Sequence, residues 1–179
     1  MSNLIATFFY VGHLRPAPGT WGSLAALPVA YFIHGFAGWF GLLVAILVVF
    51  FVGWWATKAA TSGKDDHDPS EIVIDEVAGQ WIALLPLSFF ASMIAPCTRE
   101  FGGNCWPIEL MLDFTPLPLV PMFLAFGLFR LFDIWKVGLV GWADRLGTPL
   151  GVMLDDVIAG IAAGLVWWGG AYTLALMAN

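Results

Sequence analysis

Five acidic residues stand where long apolar runs begin or end. Asp75 and Glu76 directly precede the run 77–95, Asp133 directly follows 117–132, and Asp155 with Asp156 directly precedes 157–178. A charged side chain costs roughly 2.5 to 3.5 kcal/mol at a bilayer centre, so acids at helix ends avoid lipid. Several of them held close together call for a shared cation. Hard oxygen donors suit Mg²⁺, which typically takes one or two carboxylates and leaves room for water and substrate phosphate. Asp75, Glu76, Asp133, Asp155 and Asp156 are therefore the candidate metal ligands. The plainer alternative is that they are solvated helix-end charges. Two adjacent acidic pairs plus Asp133, all at one end, weigh against it. Gly79 and Gly160 lie four residues after Asp75 and Asp156, where a small residue lets another backbone or a ligand come close.

Cationic and turn residues accompany these acids. Arg130, Asp133 and Lys136 are spaced by three, which puts them on one face if the helix continues to Lys136. That face would hold a phosphate with two cations, or it would be an intrahelical ladder of ion pairs. The segment 15–23, RPAPGTWGS, precedes another apolar run. Thr20 or Ser23 is expected to cap the following helix, whose N-terminal amides form an anion site; a plain capping turn is the other reading. No Walker-type lysine follows. His67, within Asp65-Asp66-His67-Asp68, could assist a metal or a proton transfer, with Asp68 beside it. His34 lies in an apolar stretch and reads as structural. Ser and Cys nucleophile signatures are absent, and Cys97 and Cys105 are either a disulfide or two free thiols.

The elements that must position these groups are hydrophobic helices. The chain has 179 residues, 60% hydrophobic and 11% charged, with 15 Phe and 10 Trp; soluble domains carry about a quarter charged residues. Residues 38–57 form an uncharged run of about 30 Å as helix, enough for a hydrocarbon core. The run 157–178 is as clear, 77–95 and 117–132 are weaker, and 21–34 is short and contains Pro28. The expectation is a single all-α domain over residues 1–179, a polytopic membrane bundle of about five hydrophobic segments. The connection 58–75 is polar, 97–116 reads as a loop, and 133–156 is mixed, with glycines at Gly138, Gly141, Gly147 and Gly151. Residues 1–11 lack a positively charged start, so no cleavable signal peptide is expected. If all five segments cross, Arg15, Lys58, Lys64, Arg130, Lys136 and Arg145 share one side with the acids, and Arg99 is alone on the other. The positive-inside rule then puts the N-terminus and the acidic site in the cytoplasm. A formal charge of −6 offers no basic patch for nucleic acid.

Four motifs in order carry a family resemblance: Pro18-Gly19-Thr20-x-Gly22-Ser23; Asp68 with Ile72-Val73-Ile74-Asp75-Glu76-x-x-Gly79; Phe129-Arg130-x-x-Asp133-x-x-Lys136; and Gly151-x-Met153-x-Asp155-Asp156-x-x-Ala159-Gly160. Together they resemble bacterial phosphatidylglycerophosphatase A. The resemblance implies a Mg²⁺-dependent lipid phosphatase of the bacterial inner membrane, converting phosphatidylglycerophosphate to phosphatidylglycerol. It carries Asp68, Asp75, Glu76, Asp133, Asp155 and Asp156 as matching acids and Thr20, Arg130 and Lys136 as phosphate-binding positions, with Asp144 and Arg145 matching more loosely. Glu76, Asp133 and Asp156 are the expected catalytic residues, with Glu76 favoured as base; a phospho-aspartyl route through Asp133 or Asp156 ranks lower. The family's Lys-Pro-x-Pro-Ile pattern is replaced here by Lys136-Val137-Gly138-Leu139-Val140, and nothing carries over to 97–116.

Two rival readings use the same acids. A small transporter or cation-binding protein would line a pathway with them, yet neither clear span has an acid at mid-depth. A CDP-alcohol transferase would show Asp-Gly-x-x-Ala-Arg, which is not found.

Overall fold

A computed structural model of the chain describes residues 1–63, 69–100 and 116–177, with the backbone alone at 94–100 and 175. Among the described residues every regular element is helical: α1 (Ser2–Ala6), a 3₁₀ turn (Val11–His13), α2 (Pro18–Ala60), α3 (Ile74–Glu100), α4 (Leu119–Trp135), α5 (Leu139–Asp144) and α6 (Pro149–Met177). The expected helical class is correct. Two helices, Pro18–Ala60 and Pro149–Leu174, are long and apolar enough to cross a membrane.

Helix α2 contains two arms. Gly38 has φ 62° and ψ −162°, a region essentially restricted to glycine, and the chain reverses there. Before it, contacts with α3 run in parallel. Ser23 Oγ donates to Glu76 at 3.0 Å, Trp81 Nε1 to the Ala26 carbonyl at 2.9 Å, His34 Nδ1 lies 2.7 Å from Ser88 Oγ, and the Trp39 amide donates to Ser92 Oγ at 3.3 Å. After it, Gly53 packs against Ile74, which lies about 27 Å back along α3 from Ser92. Only a return arm satisfies both ends. The first arm, residues 18–37, is about 30 Å long, so the run 21–34 underestimates it: the helix starts earlier, at Pro18, and continues through Pro28.

The acidic motifs share one end of the bundle because successive arms alternate in direction. The first arm leaves that end and the second returns to it; α3 leaves from Glu76, α4 arrives at Asp133, and α6 leaves past Asp156. Small buried residues (Ala26, Ala30, Ala78, Ala83, Ala125, Ala159, Ala163) line the interior and allow close helix approach. Large apolar side chains such as Phe32, Phe51, Phe123 and Leu165 face outward. Leu27, Leu42, Leu84, Val77 and Met153 fill one core cluster, and Phe129, Val140 and Ala83 belong to a second.

Glycine spacing has the predicted consequence. A Cβ at Gly79 would stand 2.6 Å from the Asp156 carbonyl oxygen and from the Phe129 ring, and one at Gly160 would collide with the Gly79 carbonyl. Helices α3 and α6 therefore cross backbone to backbone beside Glu76 and Asp156. Two local expectations are corrected. Helix α6 begins at Pro149, so Asp155 and Asp156 lie in its second turn rather than at its opening. Helix α4 ends at Trp135, and Lys136 is left-handed (φ 45°, ψ 43°); Arg130 and Asp133 share a helical face, but Lys136 leaves it. His34 is buried against Ser88, as its structural reading requires.

Candidate active site

The helix ends enclose a cavity of about 340 Å³ lined by Ala17, Pro18, Gly19, Thr20, Ser70, Ile72, Asp75, Glu76, Arg130, Asp133, Lys136, Asp155 and Asp156. Every expected site residue that the structure describes lies on it. His67 and Asp68, the possible accessory pair, lie outside the described residues, as does Cys105; Cys97 is described only in its backbone.

Three carboxylates converge. Glu76 from α3, Asp133 from α4 and Asp156 from α6 each offer an oxygen within 4.8 Å of the other two. Two bare carboxylates at that separation repel by about 3 to 4 kcal/mol at an effective dielectric of about 20. The cluster therefore needs compensating positive charge. Opposed ligands of a Mg²⁺ ion with bonds of about 2.0 to 2.1 Å stand about 4.2 Å apart, so the set fits one small cation with slight contraction. Asp156 Oδ1 is buried with no hydrogen-bond partner, an oxygen disposed as a ligand would be. Asp75 and Asp155 line the same cavity. The Oδ1 of each accepts the next residue's backbone amide, from Glu76 at 2.9 Å and from Asp156 at 3.0 Å. The donor set is hard oxygen throughout and fits a divalent cation held by Glu76, Asp133 and Asp156.

Arg130 is the principal counter-charge. Its Nη1 donates to Glu76 Oε2, to Asp133 Oδ2 at 2.7 Å and to Ser23 Oγ at 3.3 Å, while its Nε is buried without a hydrogen-bond partner. It thus braces Glu76 and Asp133. Lys136 pairs with Asp144 and lies 3.4 Å from Asp155. Burial pulls its pKa down, but hydrogen bonding to Asp144 and the charges of Asp155 and Asp144 outweigh it, and the net shift is upward. The ammonium therefore stays charged across the neutral range.

The start of α2 forms another wall. Its N-cap is Ala17, without a side-chain cap bond, and Pro18 opens the helix. The capping role expected of Thr20 or Ser23 is not found. Thr20 lines the cavity instead, and Ser23 donates to the Gly19 carbonyl and to Glu76, both at 3.0 Å. The amides of Gly19 and Thr20 have no acceptor in a preceding turn, as at any helix start. Gly19 leaves room for Glu76, since a Cβ there would stand 1.9 Å from Glu76 Oε1 and displace the carboxylate. Sequence reasoning missed Ser70, which accepts from Arg15 Nη1 at 3.2 Å and which no periodic signal marks. Ile72 was visible within a motif, but not as a wall of the cavity. Asp144 and Ser23 were visible within motifs, but not as partners of Lys136 and Glu76.

Comparison with known proteins agrees with this geometry. A family model described as Phosphatidylglycerophosphatase A matches residues 4–171. The chain is 30% identical over 175 residues to phosphatidylglycerophosphatase A of Escherichia coli strain K12, covering 95% of this chain and 86% of that protein. It is 30% identical over 165 residues to the Haemophilus influenzae protein of the same name, covering 92% and 85%. A Bacteroides thetaiotaomicron protein provisionally named a phosphatidylinositol-3-phosphatase is 33% identical over 162 residues, covering 88% and 86%. No solved structure matches. With four motifs meeting in one cavity and the family model spanning nearly the whole chain, this protein belongs to the phosphatidylglycerophosphatase A family and is a phosphatase.

Proposed function

We propose that the chain hydrolyses the terminal phosphomonoester of phosphatidylglycerophosphate, giving phosphatidylglycerol and phosphate, with Mg²⁺ held by Glu76, Asp133 and Asp156. The observation that carries this reading is the meeting of those three carboxylates with Arg130 in one cavity. Bound there, the cation would polarise phosphoryl oxygens and acidify a water. The chain's own residues do the rest. Arg130, on the cavity wall, and the Gly19 and Thr20 amides offer donors to the non-bridging phosphoryl oxygens, where charge spreads in the transition state. Lys136 adds positive potential from the Asp144–Asp155 side. Ser23 and Arg130 hold Glu76 in place. Glu76 serves as general base when one of its oxygens is not committed to the cation. Asp75 and Asp155, on the same cavity wall, are further candidate ligands.

The same reading makes the chain a multi-pass protein of the bacterial inner membrane whose five arms each cross, with the site on the cytoplasmic side. In its support, Arg15, Lys58, Arg130, Lys136 and Arg145 all belong to the carboxylate end, the distribution that the positive-inside rule associates with the cytoplasm. A lipid phosphate suits such a position, since its head group reaches the cavity while its tails stay in the leaflet. The transporter alternative loses ground, because the carboxylates gather at one end and the family is one of phosphatases.

The test is a phosphate-release panel across lipid phosphomonoesters, using purified protein in detergent, with Mg²⁺ and with chelator. Preferential, Mg²⁺-dependent release from phosphatidylglycerophosphate is expected. Activity that survives chelation would remove the metal from the account. Preference for a phosphoinositide, as the name of the Bacteroides relative suggests for that protein, would replace the substrate.

A further inference from the structure

The connection between α4 and α6 bears an apolar face that no described part of the chain covers. Val137 is 66% exposed, Leu139 69% and Trp142 51%, and Leu146 is exposed beside them. Leu139 and Trp142, three residues apart on α5, share one helical face, and Leu146 follows in the turn after α5. On the opposite face Val140 and Ala143 are buried, Val140 in the cluster with Phe129 and Ala159. The third side carries the polar groups, where Lys136 pairs with Asp144 and reaches Asp155 at the cavity wall. The connection is thus divided into core, cavity and outer faces. In the chain it adjoins the exposed Trp135, Ile134 and Leu131, the last outward residues of α4 on the apolar exterior of the bundle.

We infer that this connection, residues 137–146, lies in the head-group boundary of the leaflet that holds the site, with Leu139, Trp142 and Leu146 inserted among lipid chains. The inference rests on the membrane-spanning reading above. Continuity with the α4 exterior identifies lipid as the occupant rather than a second protein. Trp135 and Trp142 suit the interface, where an indole has an apolar ring to bury and an N–H to leave wet. The neighbouring Lys136 and Arg145 suit anionic head groups. The functional consequence is a sideways entrance. With its outer face in lipid and its inner face on the cavity, the connection sets Lys136 and Asp155 at head-group depth, so a lipid phosphate reaches the carboxylates without its tails leaving the leaflet.

Nitroxide labels at single cysteines test this. Labels at positions 123, 139, 142, 145 and 146, in a Cys97→Ser, Cys105→Ser background, are read for collision with oxygen and with a water-soluble nickel chelate. The protein is reconstituted in phosphatidylcholine–phosphatidylglycerol vesicles. Oxygen should dominate at 139, 142 and 146, and nickel at 145. Position 123, outward at mid-α4, should be deeper still. Nickel dominance at 139, 142 and 146 overturns the inference, as does protection from both reagents, which would mean a protein cover. Nickel dominance at 123 would instead overturn the spanning reading itself. In a protein with its native cysteines, Leu139→Asp with Trp142→Asp should lower turnover of vesicle-embedded lipid phosphate about tenfold. Turnover of a short-chain, water-dispersed phosphomonoester should stay unchanged in that variant, and equal loss on both substrates counts against the inference.

Discussion

A single methyl group at Gly79 should separate the two helices that carry Glu76 and Asp156. The Cβ of Gly79→Ala would meet the Asp156 carbonyl oxygen and the Phe129 ring at 2.6 Å. Ordinary contact begins at about 3.4 Å, so α3 and α6 must part locally by about 0.8 Å. Neither obstacle is the free end of a flexible chain: one is backbone and the other a buried ring. Glu76 and Asp156 move with their helices, and the 4.8 Å oxygen set then widens when ion binding needs it to contract. Misplacement near 1 Å costs about a hundredfold in turnover, and overpacking should cost about 1 to 3 kcal/mol in stability. The assay is phosphate release against Mg²⁺ concentration, alongside thermal unfolding in detergent. Turnover should fall about a hundredfold with a raised Mg²⁺ half-saturation, while the folded state persists at assay temperature. Gly127→Ala is the control, since a Cβ there meets nothing within 4 Å, and it should behave as wild type. Wild-type turnover and Mg²⁺ response in Gly79→Ala would refute the claim that the α3–α6 crossing sets the ligand spacing.

Other positions give separate tests. Arg130→Ala should cut turnover by about a hundredfold to a thousandfold, since it removes a donor aimed at developing charge and the brace on Glu76 and Asp133; Arg130→Lys should recover only a small part, measured as kcat on the same lipid. Gly38→Ala forces a side chain into φ 62°, ψ −162° and should cost about 1 to 3 kcal/mol or more in unfolding free energy. Ser88→Ala orphans the buried His34 and should cost about 1 to 3 kcal/mol in the same assay, with kcat unchanged because the pair lies far down the bundle from the cavity. Lys136 has a pKa raised in the folded state, so its contribution to stability is complete below the unfolded lysine value of about 10.4 and is lost only above it. Lys136→Met should therefore lower the unfolding midpoint by the same amount at pH 6 and pH 8.

Much of this site was legible in the sequence because charge is rare in it. Against an apolar background, Asp75-Glu76, Asp133 and Asp155-Asp156 mark helix ends, and counting crossings puts them at one end. Gly79 and Gly160 announced a close crossing by size alone. Other features depend on partners distant in sequence. The reversal at Gly38 was invisible as geometry, because a glycine in an apolar run signals a bend only once Ser92 and Ile74 are known to lie at opposite ends of α3. Lys136 kept the spacing of a helical face, but left-handed backbone at that residue, followed by Gly138 at φ 64°, turned it toward Asp144. The Pro-Gly-Thr segment read as a cap, whereas its glycine admits Glu76 against the start of α2, a contact that spans more than fifty residues. The span 21–34 looked short because Pro18 and Gly19 resemble loop residues, though proline is well suited to the first helical position.

The central claim, that Glu76, Asp133 and Asp156 together hold the cation on which lipid phosphate release depends, is tested most directly by binding. Mn²⁺ in place of Mg²⁺ can be titrated by electron paramagnetic resonance into the purified protein and into Glu76→Gln, Asp133→Asn and Asp156→Asn, with phosphate release measured on the same samples. The wild-type protein should show a site whose affinity falls at least about tenfold in each variant, with turnover falling alongside. Unchanged Mn²⁺ affinity and unchanged turnover in all three variants would contradict it.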